Sequence, residues 1–254
     1  MIKKVSIIGS GNVATQLGMA FTKVGTDVTH VASRTPENAE NLASQLSAFA
    51  CKIEDLPVDQ LAIVCVSDDA ISEVLNQLSP EIPVAYTSGS IGIHDVPKRA
   101  QLGVFYPLQT LSKTSTVQFS DVPILIESEN AAFQEMLANF ARQLSKTTRI
   151  VNSEQRRKIH LAAVWINNFT NHVVYQAQKI TEEQNLDYQL LLPLLRETLQ
   201  KLENQPAFDA QTGPAIRGDI KTIEKHLSAQ DGISKELYEL LSRSIKETYR
   251  NEEL

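Results

Sequence analysis

A glycine-rich segment near the start of the sequence has the residue types and spacing that hold the pyrophosphate of a dinucleotide. The segment follows the apolar run Lys4–Ile8 and reads Gly9-Ser10-Gly11-Asn12-Val13-Ala14, a G-x-G-x-x-A pattern. The first glycine permits a tight turn, the second lets the backbone approach a pyrophosphate, and the alanine lets the next helix pack against the strand. The start of that helix adds free N–H groups and a positive dipole end. The predicted contacts are Gly9, Ser10, Gly11, Asn12 and Val13.

The end of the second predicted strand favours NADP(H) over NAD. A site for NAD usually carries Asp or Glu there, which binds the ribose 2′-hydroxyl. This sequence has Ser33-Arg34-Thr35 after Asp27–Ala32 instead. A guanidinium beside hydroxyl groups suits a 2′-phosphate, because it can donate two parallel charge-assisted hydrogen bonds. We therefore predict that Ser33, Arg34 and Thr35 bind the 2′-phosphate, although an exposed loop charge remains an alternative for Arg34.

Two hydroxyl-bearing loops are expected to complete the nucleotide cleft. Ligands of open α/β sheets bind beyond the carboxyl ends of the strands. The loops Val66-Ser67-Asp68 and Thr87-Ser88-Gly89-Ser90 stand at such ends. Ser67 and Ser88 are predicted to line the nicotinamide ribose, although turn and capping residues of this kind also need no ligand.

The elements that must position these residues change character along the chain. Short apolar runs alternate with amphipathic segments as far as Val151, which indicates βαβ units and a doubly wound, mainly parallel sheet. From Ser153 onward the pattern is that of long helices, the first predicted over Ser153–Gln184 and another over Gly213–Leu227. The sequence thus predicts an α/β Rossmann domain over residues 1–151 and an all-α helical domain over residues 152–254.

Composition argues against several classes of protein. The net charge is −6 and 42% of the residues are hydrophobic, a globular balance without the basic surface that nucleic acid or anionic lipid needs. The cluster Arg156-Arg157-Lys158 could form a local anion site, but solvated helix surface is the favoured interpretation. Cys51 and Cys65 are the only cysteines, too few for a disulfide framework or a zinc signature. No apolar stretch approaches the roughly 20 residues that cross a bilayer, so we expect a soluble, cytoplasmic protein that binds no metal.

Several motifs beyond the glycine turn carry a resemblance to a known family. They are Thr87–Gly89, Val104–Thr110, His160–Ala163 with Asn167-Asn168, and Thr212–Asp219. With them the sequence resembles Rossmann-like proteins that carry the domain of unknown function DUF2520 and are often labelled NADP- or coenzyme F420-dependent oxidoreductases. More distantly, the layout is similar to pyrroline-5-carboxylate reductase, ketopantoate reductase and the β-hydroxyacid dehydrogenases. This resemblance implies a substrate held between the two domains and a homodimer formed through the helical one.

The catalytic residues of the β-hydroxyacid dehydrogenases have no counterpart here. Those enzymes use a lysine with an asparagine one turn later, whereas no lysine stands four residues before an asparagine of the first long helix. What remains is a polar stripe of His160, Asn167 and Asn171, spaced seven and four residues apart on one helix face. Histidine titrates near neutral pH, so His160 is the candidate acid, with Asn167 and Asn171 binding substrate. The alternative is that these groups bond to one another or across a helix interface.

The segment Thr212–Asp219 is a second candidate for substrate binding. Arg217 is placed to clamp a substrate carboxylate, with Asp219 orienting the guanidinium. An Arg217–Asp219 ion pair that fastens helices together is an equal alternative.

Together these residues predict an NADP(H)-dependent oxidoreductase that transfers hydride to a small carbonyl or imine substrate in the interdomain cleft. The alternative is a noncatalytic NADP(H)-binding sensor or dimeric scaffold, which the missing Lys–Asn pair keeps open. A third hypothesis, an oxidoreductase that uses F420 together with NADP, rests on family labels alone.

Overall fold

The computed structural model of the protein describes residues 2–249, which form two compact units. The first unit runs to Asn168 and the second begins at Phe169. The predicted boundary, after residue 151, lies earlier in the chain. The first unit is longer because the helix that follows Asn152 is bonded to loops of the sheet, as described below.

The first unit is built on an eight-stranded sheet with the order β3-β2-β1-β4-β5-β6-β7-β8. All neighbouring strands are parallel except β6 and β7, which are antiparallel. The strands are β1 (Lys4–Ile8), β2 (Asp27–Ala32), β3 (Phe49–Cys51), β4 (Leu61–Val64), β5 (Val84–Tyr86), β6 (Leu102–Pro107), β7 (Ile124–Ser128) and β8 (Thr148–Ile150). This mainly parallel sheet confirms the predicted Rossmann class.

Helices cover the sheet and alternate with its strands. They are α1 (Asn12–Lys23), α2 (Pro36–Leu46), α3 (Ile71–Gln77) and α4 (Ala131–Leu144). All four side chains of β4 are buried, Leu61 and Ile63 in one apolar cluster and Ala62 and Val64 in another. A strand without polar alternation is therefore central and covered on both faces, as its sequence predicts.

A long helical segment follows β8 but is interrupted by a π-helical turn. It consists of α5 (Ser153–Ala163), the π-helical turn Val164–Phe169, and α6 (Thr170–Glu182). Asn152 starts α5 with a full capping box, in which its side chain accepts from Gln155 N–H and the Gln155 side chain accepts from Asn152 N–H. The sequence predicted one regular helix here.

The second unit consists of helices. After α6 come α7 (Leu192–Asn204), α8 (Ala207–Ala210), α9 (Ile220–Ser228) and α10 (Gly232–Tyr249). The predicted helix Gly213–Leu227 starts late, because Gly213 and Gly218 have φ values of 115° and 65°, outside the range of a right-handed helix. Ala215 is the only residue of the described part of this unit that is buried. No helix within residues 2–249 is long and apolar enough to cross a membrane.

Candidate functional site

The glycine turn between β1 and α1 has the shape that its sequence predicts. Gly9 has φ 115°, and a Cβ atom there would lie 2.2 Å from the carbonyl oxygen of Cys65, so only glycine fits. At Gly11, by contrast, a Cβ atom would meet no protein atom within 4 Å. No side chain caps the start of α1, so its first N–H groups are available to an anion.

The glycine turn lines a cleft with a volume of about 370 Å³. The end of β2 faces this cleft as well. Ser33 Oγ and Ser10 Oγ are 2.9 Å apart, so the two loops meet through their hydroxyl groups. Arg34 is exposed, and no carboxylate in residues 2–249 lies within 4.0 Å of its guanidinium. The predicted contacts that line the cleft are Gly9, Ser10, Gly11, Ser33, Arg34, Thr35 and Ser67.

Three of the predicted nucleotide contacts lie outside the lining of this cleft. Asn12 and Val13 belong to the first turn of α1 and do not line it. Ser88 is buried, and its Oγ accepts hydrogen bonds from Ser90 N–H at 3.1 Å and Ile91 N–H at 3.0 Å. The Ser88 hydroxyl therefore organises its own loop.

A second cleft, of about 560 Å³, lies where β6 ends and α5 passes. Its polar lining consists of Tyr106, Gln109, Thr110, His160, Asn167 and Asn168. The rest of its lining is apolar, mostly from α5 and the π-helical turn. The structure thus brings together the predicted His160 and Asn167 and adds Tyr106, which sequence reasoning missed.

Tyr106 and His160 form a hydrogen-bonded pair in the wall of this second cleft. Tyr106 Oη lies 2.9 Å from His160 Nδ1, and the two rings meet edge to face. Burial raises the pKa of Tyr106, the Arg156 guanidinium lowers it, and the Asp68 carboxylate raises it. With a raised pKa, the tyrosine keeps its proton throughout the neutral range and can act as an acid.

The π-helical turn carries Asn167 and Asn168 to this cleft. A π-helical turn contains more residues than an α-helical turn and is frequent at functional sites. Asn167 stands seven positions after His160, and the wider turn allows Asn168 to join the same lining. Asn171 belongs to the second unit and is exposed.

Arg217 and Asp219 also belong to the second unit. The Asp219 carboxylate caps α9, accepting from Thr222 N–H at 3.1 Å and from the Thr222 hydroxyl at 2.7 Å. These bonds from Thr222, above all that of its hydroxyl, lower the pKa of Asp219. Arg217 is exposed and forms no ion pair within 4.0 Å in the described part of the chain, so Asp219 is a helix cap rather than its ion-pair partner.

The interpretation of the basic cluster Arg156-Arg157-Lys158 as solvated surface is wrong for Arg156. Its side chain is fully buried and lies 2.7 Å from a Glu127 oxygen. Its neighbours Arg157 and Lys158 are exposed, as expected. No cluster of three or more His, Cys, Asp or Glu residues capable of holding a metal occurs in residues 2–249.

Alanine at Gly9 and at Gly11 is predicted to act on different properties of the protein. Gly11→Ala should leave the free energy of unfolding within about 1 kcal/mol, yet weaken dinucleotide binding at least about tenfold, because its Cβ occupies the approach of the pyrophosphate. Gly9→Ala should cost about 3 kcal/mol or more in stability, because it adds a backbone collision to strain at positive φ. Urea unfolding and calorimetric titration with NADPH measure the two effects. Unchanged NADPH affinity in folded Gly11→Ala would contradict the assigned role.

Comparisons with known proteins place the chain in a family. The model of the domain of unknown function DUF2520 matches residues 122–245, and the model named NADP oxidoreductase coenzyme F420-dependent matches residues 4–85. No curated protein matches the sequence.

Solved structures agree with these matches. A protein from Bacteroides fragilis, provisionally described as an NADP oxidoreductase, is 38% identical with a TM-score of 0.87, and the match covers 97% of this chain and 98% of that one. The reductive aminase of Aspergillus terreus shares the fold, with 17% identity, a TM-score of 0.73, and a match that covers 97% of this chain and 95% of that one. The 1-pyrroline-5-carboxylate reductase of Streptococcus pyogenes also shares it, with 14% identity, a TM-score of 0.64, and a match that covers 96% of this chain and 98% of that one. The chain belongs to the family of Rossmann-type oxidoreductase proteins that carry the DUF2520 domain.

Proposed function

We propose that the protein is an NADP(H)-dependent reductase that transfers hydride to a small carbonyl or imine substrate. The observation that carries this proposal is the Tyr106–His160 pair, whose polar atoms are 2.9 Å apart. The pair lies in a cleft at the carboxyl edge of a parallel sheet, the edge that also bears the glycine turn. A proton donor and a dinucleotide site at the same edge are what a nicotinamide-dependent reduction requires.

The residues of the first cleft fit NADP(H). The open approach to Gly11 and the uncapped start of α1 suit a pyrophosphate, which the backbone N–H groups would hold. Arg34, with Ser33 and Thr35, would bind the 2′-phosphate, because an unpaired exposed guanidinium can donate two parallel bonds to it. When bound, the reduced nicotinamide supplies the hydride.

Tyr106 and His160 would supply the proton. Addition of hydride to the carbon of a C=O or C=N bond leaves an electron pair on oxygen or nitrogen, which must gain a proton. In the proposed step the Tyr106 O–H bond breaks, its proton passes to that atom, and the electron pair stays on the tyrosine oxygen. His160 then donates a proton to Tyr106 and takes up another proton from solvent, and Asn167 holds the substrate through its side-chain amide. Asn171 and Arg217 remain candidates for substrate binding from the second unit.

The structural relatives give this reaction class indirect support. The Aspergillus terreus enzyme is a reductive aminase solved with NADPH and a keto ester, and the Streptococcus pyogenes enzyme is a reductase of a cyclic imine. Both proteins thus act on C=O or C=N bonds. No residue of the described chain independently supports the F420-dependent hypothesis.

We also propose that the protein is a homodimer assembled through its second unit. Large apolar side chains there are exposed in the single chain, among them Leu190 at 69%, Leu194 at 66% and Ile233 at 64%. In its described residues, 169–249, this helical unit buries one alanine, so it lacks the apolar core that offsets the entropy of folding. A second copy of the chain would supply that core, and burying such surface is the main source of stability in obligate dimers.

Replacing Arg34 with alanine tests the choice of nucleotide. The affinity for NADPH should fall about 10- to 100-fold, the value of one or two charge-assisted hydrogen bonds, whereas the affinity for NADH should stay the same. Calorimetric titration measures both, with Arg149→Ala as a control on an exposed arginine of the edge strand. If folded wild-type protein binds neither nucleotide, the proposed function is wrong.

Replacing Tyr106 with phenylalanine tests the proton donor. Turnover of any ketone or imine that the wild-type protein reduces should fall by about 10²- to 10⁴-fold, the usual contribution of a general acid, with NADPH affinity unchanged. His160→Gln should lower the same rate in a similar way. The assay follows loss of NADPH absorbance over a panel of ketones and imines. Full turnover by Tyr106→Phe would exclude this donor, and binding of NADPH without reduction of any panel member would favour the noncatalytic sensor.

Light scattering on the purified protein tests the dimer. The expected mass is twice that of the chain at micromolar concentration, because the apolar surface of the second unit must be covered. A well-folded monomer over the whole concentration range would overturn this proposal.

A further inference from the structure

A buried ion pair lies behind the proposed proton donor without taking part in the reaction. Arg156 is fully buried and Glu127 nearly so, and their side chains approach to 2.7 Å. The second Glu127 oxygen accepts from the Ser153 hydroxyl at 2.6 Å, and Ser153 Oγ accepts in turn from Ile93 N–H at 2.9 Å. Buried ion pairs seldom add net stability over apolar side chains of the same size. The presence of this pair therefore suggests a role beyond stability.

The guanidinium holds both ends of one short loop. Arg156 Nη1 donates to the Ser88 carbonyl at 2.9 Å, and both Nη atoms donate to the Ile91 carbonyl at 2.8 Å. The Tyr86 hydroxyl donates to the same Ile91 carbonyl at 3.2 Å. The loop Ser88–Ile91 is thus fixed from α5 and from β5 at once.

This loop touches both members of the proton-donating pair. A Cβ atom built on Gly89 would lie 2.7 Å from His160 Nδ1 and 2.8 Å from Tyr106 Cζ. The backbone at Gly89 therefore packs directly against the two side chains. His160 stands four residues after Arg156, so both project from one face of α5 toward the loop.

We propose that the Arg156–Glu127 pair positions the Tyr106–His160 donor through the Ser88–Ile91 loop. This inference rests on the proposed function. The hydrogen bonds from Arg156 fix the loop against which the rings of Tyr106 and His160 pack. Their position matters because a small displacement of a catalytic group lowers the reaction rate by a large factor.

The charges around Tyr106 provide a readout that does not need a substrate. The described groups that act on its hydroxyl are His160 and Arg156 from α5 and Asp68 from the loop after β4. Arg156 lowers the pKa of Tyr106, opposing the effects of burial and of Asp68. A tyrosinate that forms when the proton leaves is therefore stabilised by the guanidinium.

The test removes both buried charges together. Arg156→Met with Glu127→Gln leaves no unpaired buried charge and keeps the side-chain volumes similar. The matched control is Lys158→Met with Glu154→Gln, which removes an exposed ion pair of the same helix, 2.8 Å long. Alkaline titration of tyrosinate absorbance, with the Tyr106→Phe spectrum of each background subtracted, follows Tyr106 without any substrate.

In the buried double variant, the acid dissociation constant of Tyr106 should fall about tenfold. The Arg156 guanidinium, which lowers the pKa of Tyr106, is lost, whereas Glu127 makes no comparable contribution to that pKa. The kcat of the buried double variant should fall about 10- to 100-fold, with NADPH affinity unchanged. The exposed double variant should match the wild-type protein in the acid dissociation constant of Tyr106, in kcat and in NADPH affinity. Wild-type titration and wild-type kcat in the folded buried variant would overturn the inference.

Gly89→Ala provides a second test that keeps the ion pair intact. Its Cβ pushes the loop away from His160 and Tyr106, so kcat should fall by a similar factor while the protein stays folded. Full kcat in this variant would refute positioning through the loop. If instead Tyr106→Phe keeps full activity, Tyr106 is not the proton donor, although the protein still acts as a reductase. If folded wild-type protein neither binds NADPH nor reduces any ketone or imine, the proposed function itself fails, so these failures are distinguishable.

Discussion

The hydrogen bonds from the Arg156 guanidinium to the loop after β5 determine where the first unit ends and where its second cleft lies. A fully buried guanidinium must have its charge and its donors satisfied, and here Glu127 on β7 and two carbonyl groups of the loop satisfy most of them. These bonds hold α5 against the carboxyl edge of the sheet. Since α5 carries His160, the same interaction places that side chain beside Tyr106. The wall of the cleft is thus a consequence of one buried ion pair.

The parallel sheet explains why the two clefts lie at the same edge. Strands that all run in one direction bring their carboxyl ends together, and the connecting loops gather there. The glycine turn follows β1, Ser67 follows β4, and the loop Ser88–Ile91 follows β5. Tyr106 stands near the carboxyl end of β6, the last strand before the sheet becomes antiparallel. A single edge therefore provides both the nucleotide turn and the candidate acid.

Much of the first unit was predictable from the sequence, because its signals are local. The limits of β1 and β2 are those predicted, since each is a short apolar run with a recognisable stop. The strand Phe49–Cys51 was missed, because three residues with an exposed Phe49 carry no periodic signal. The glycine turn was confirmed at Gly9, where the positive φ follows from the residue type.

The parts of the site that depend on distant contacts were not predictable. Arg156 resembles its exposed neighbours in sequence, and only the approach of β7 and the β5 loop makes it a buried residue. Tyr106 stands in the apolar strand Leu102–Pro107, where a tyrosine suggests packing. The signal that pointed toward it was its place inside the family motif Val104–Thr110. The π-helical turn was hidden as well, because Val164–Phe169 contains no glycine or proline that would interrupt the predicted helix.

That turn has a consequence for how the helix can vary. A π-helical turn is equivalent to one residue inserted into an α-helix, and one residue corresponds to a rotation of about 100° at 3.6 residues per turn. The π-helical turn absorbs that rotation, so deleting one residue from Val164–Phe169 would restore a regular helix and leave the residues on either side in phase. The narrower turn would then bring one asparagine to the cleft in place of the pair Asn167 and Asn168. In this segment, the length of the chain sets how many amide side chains reach the cleft.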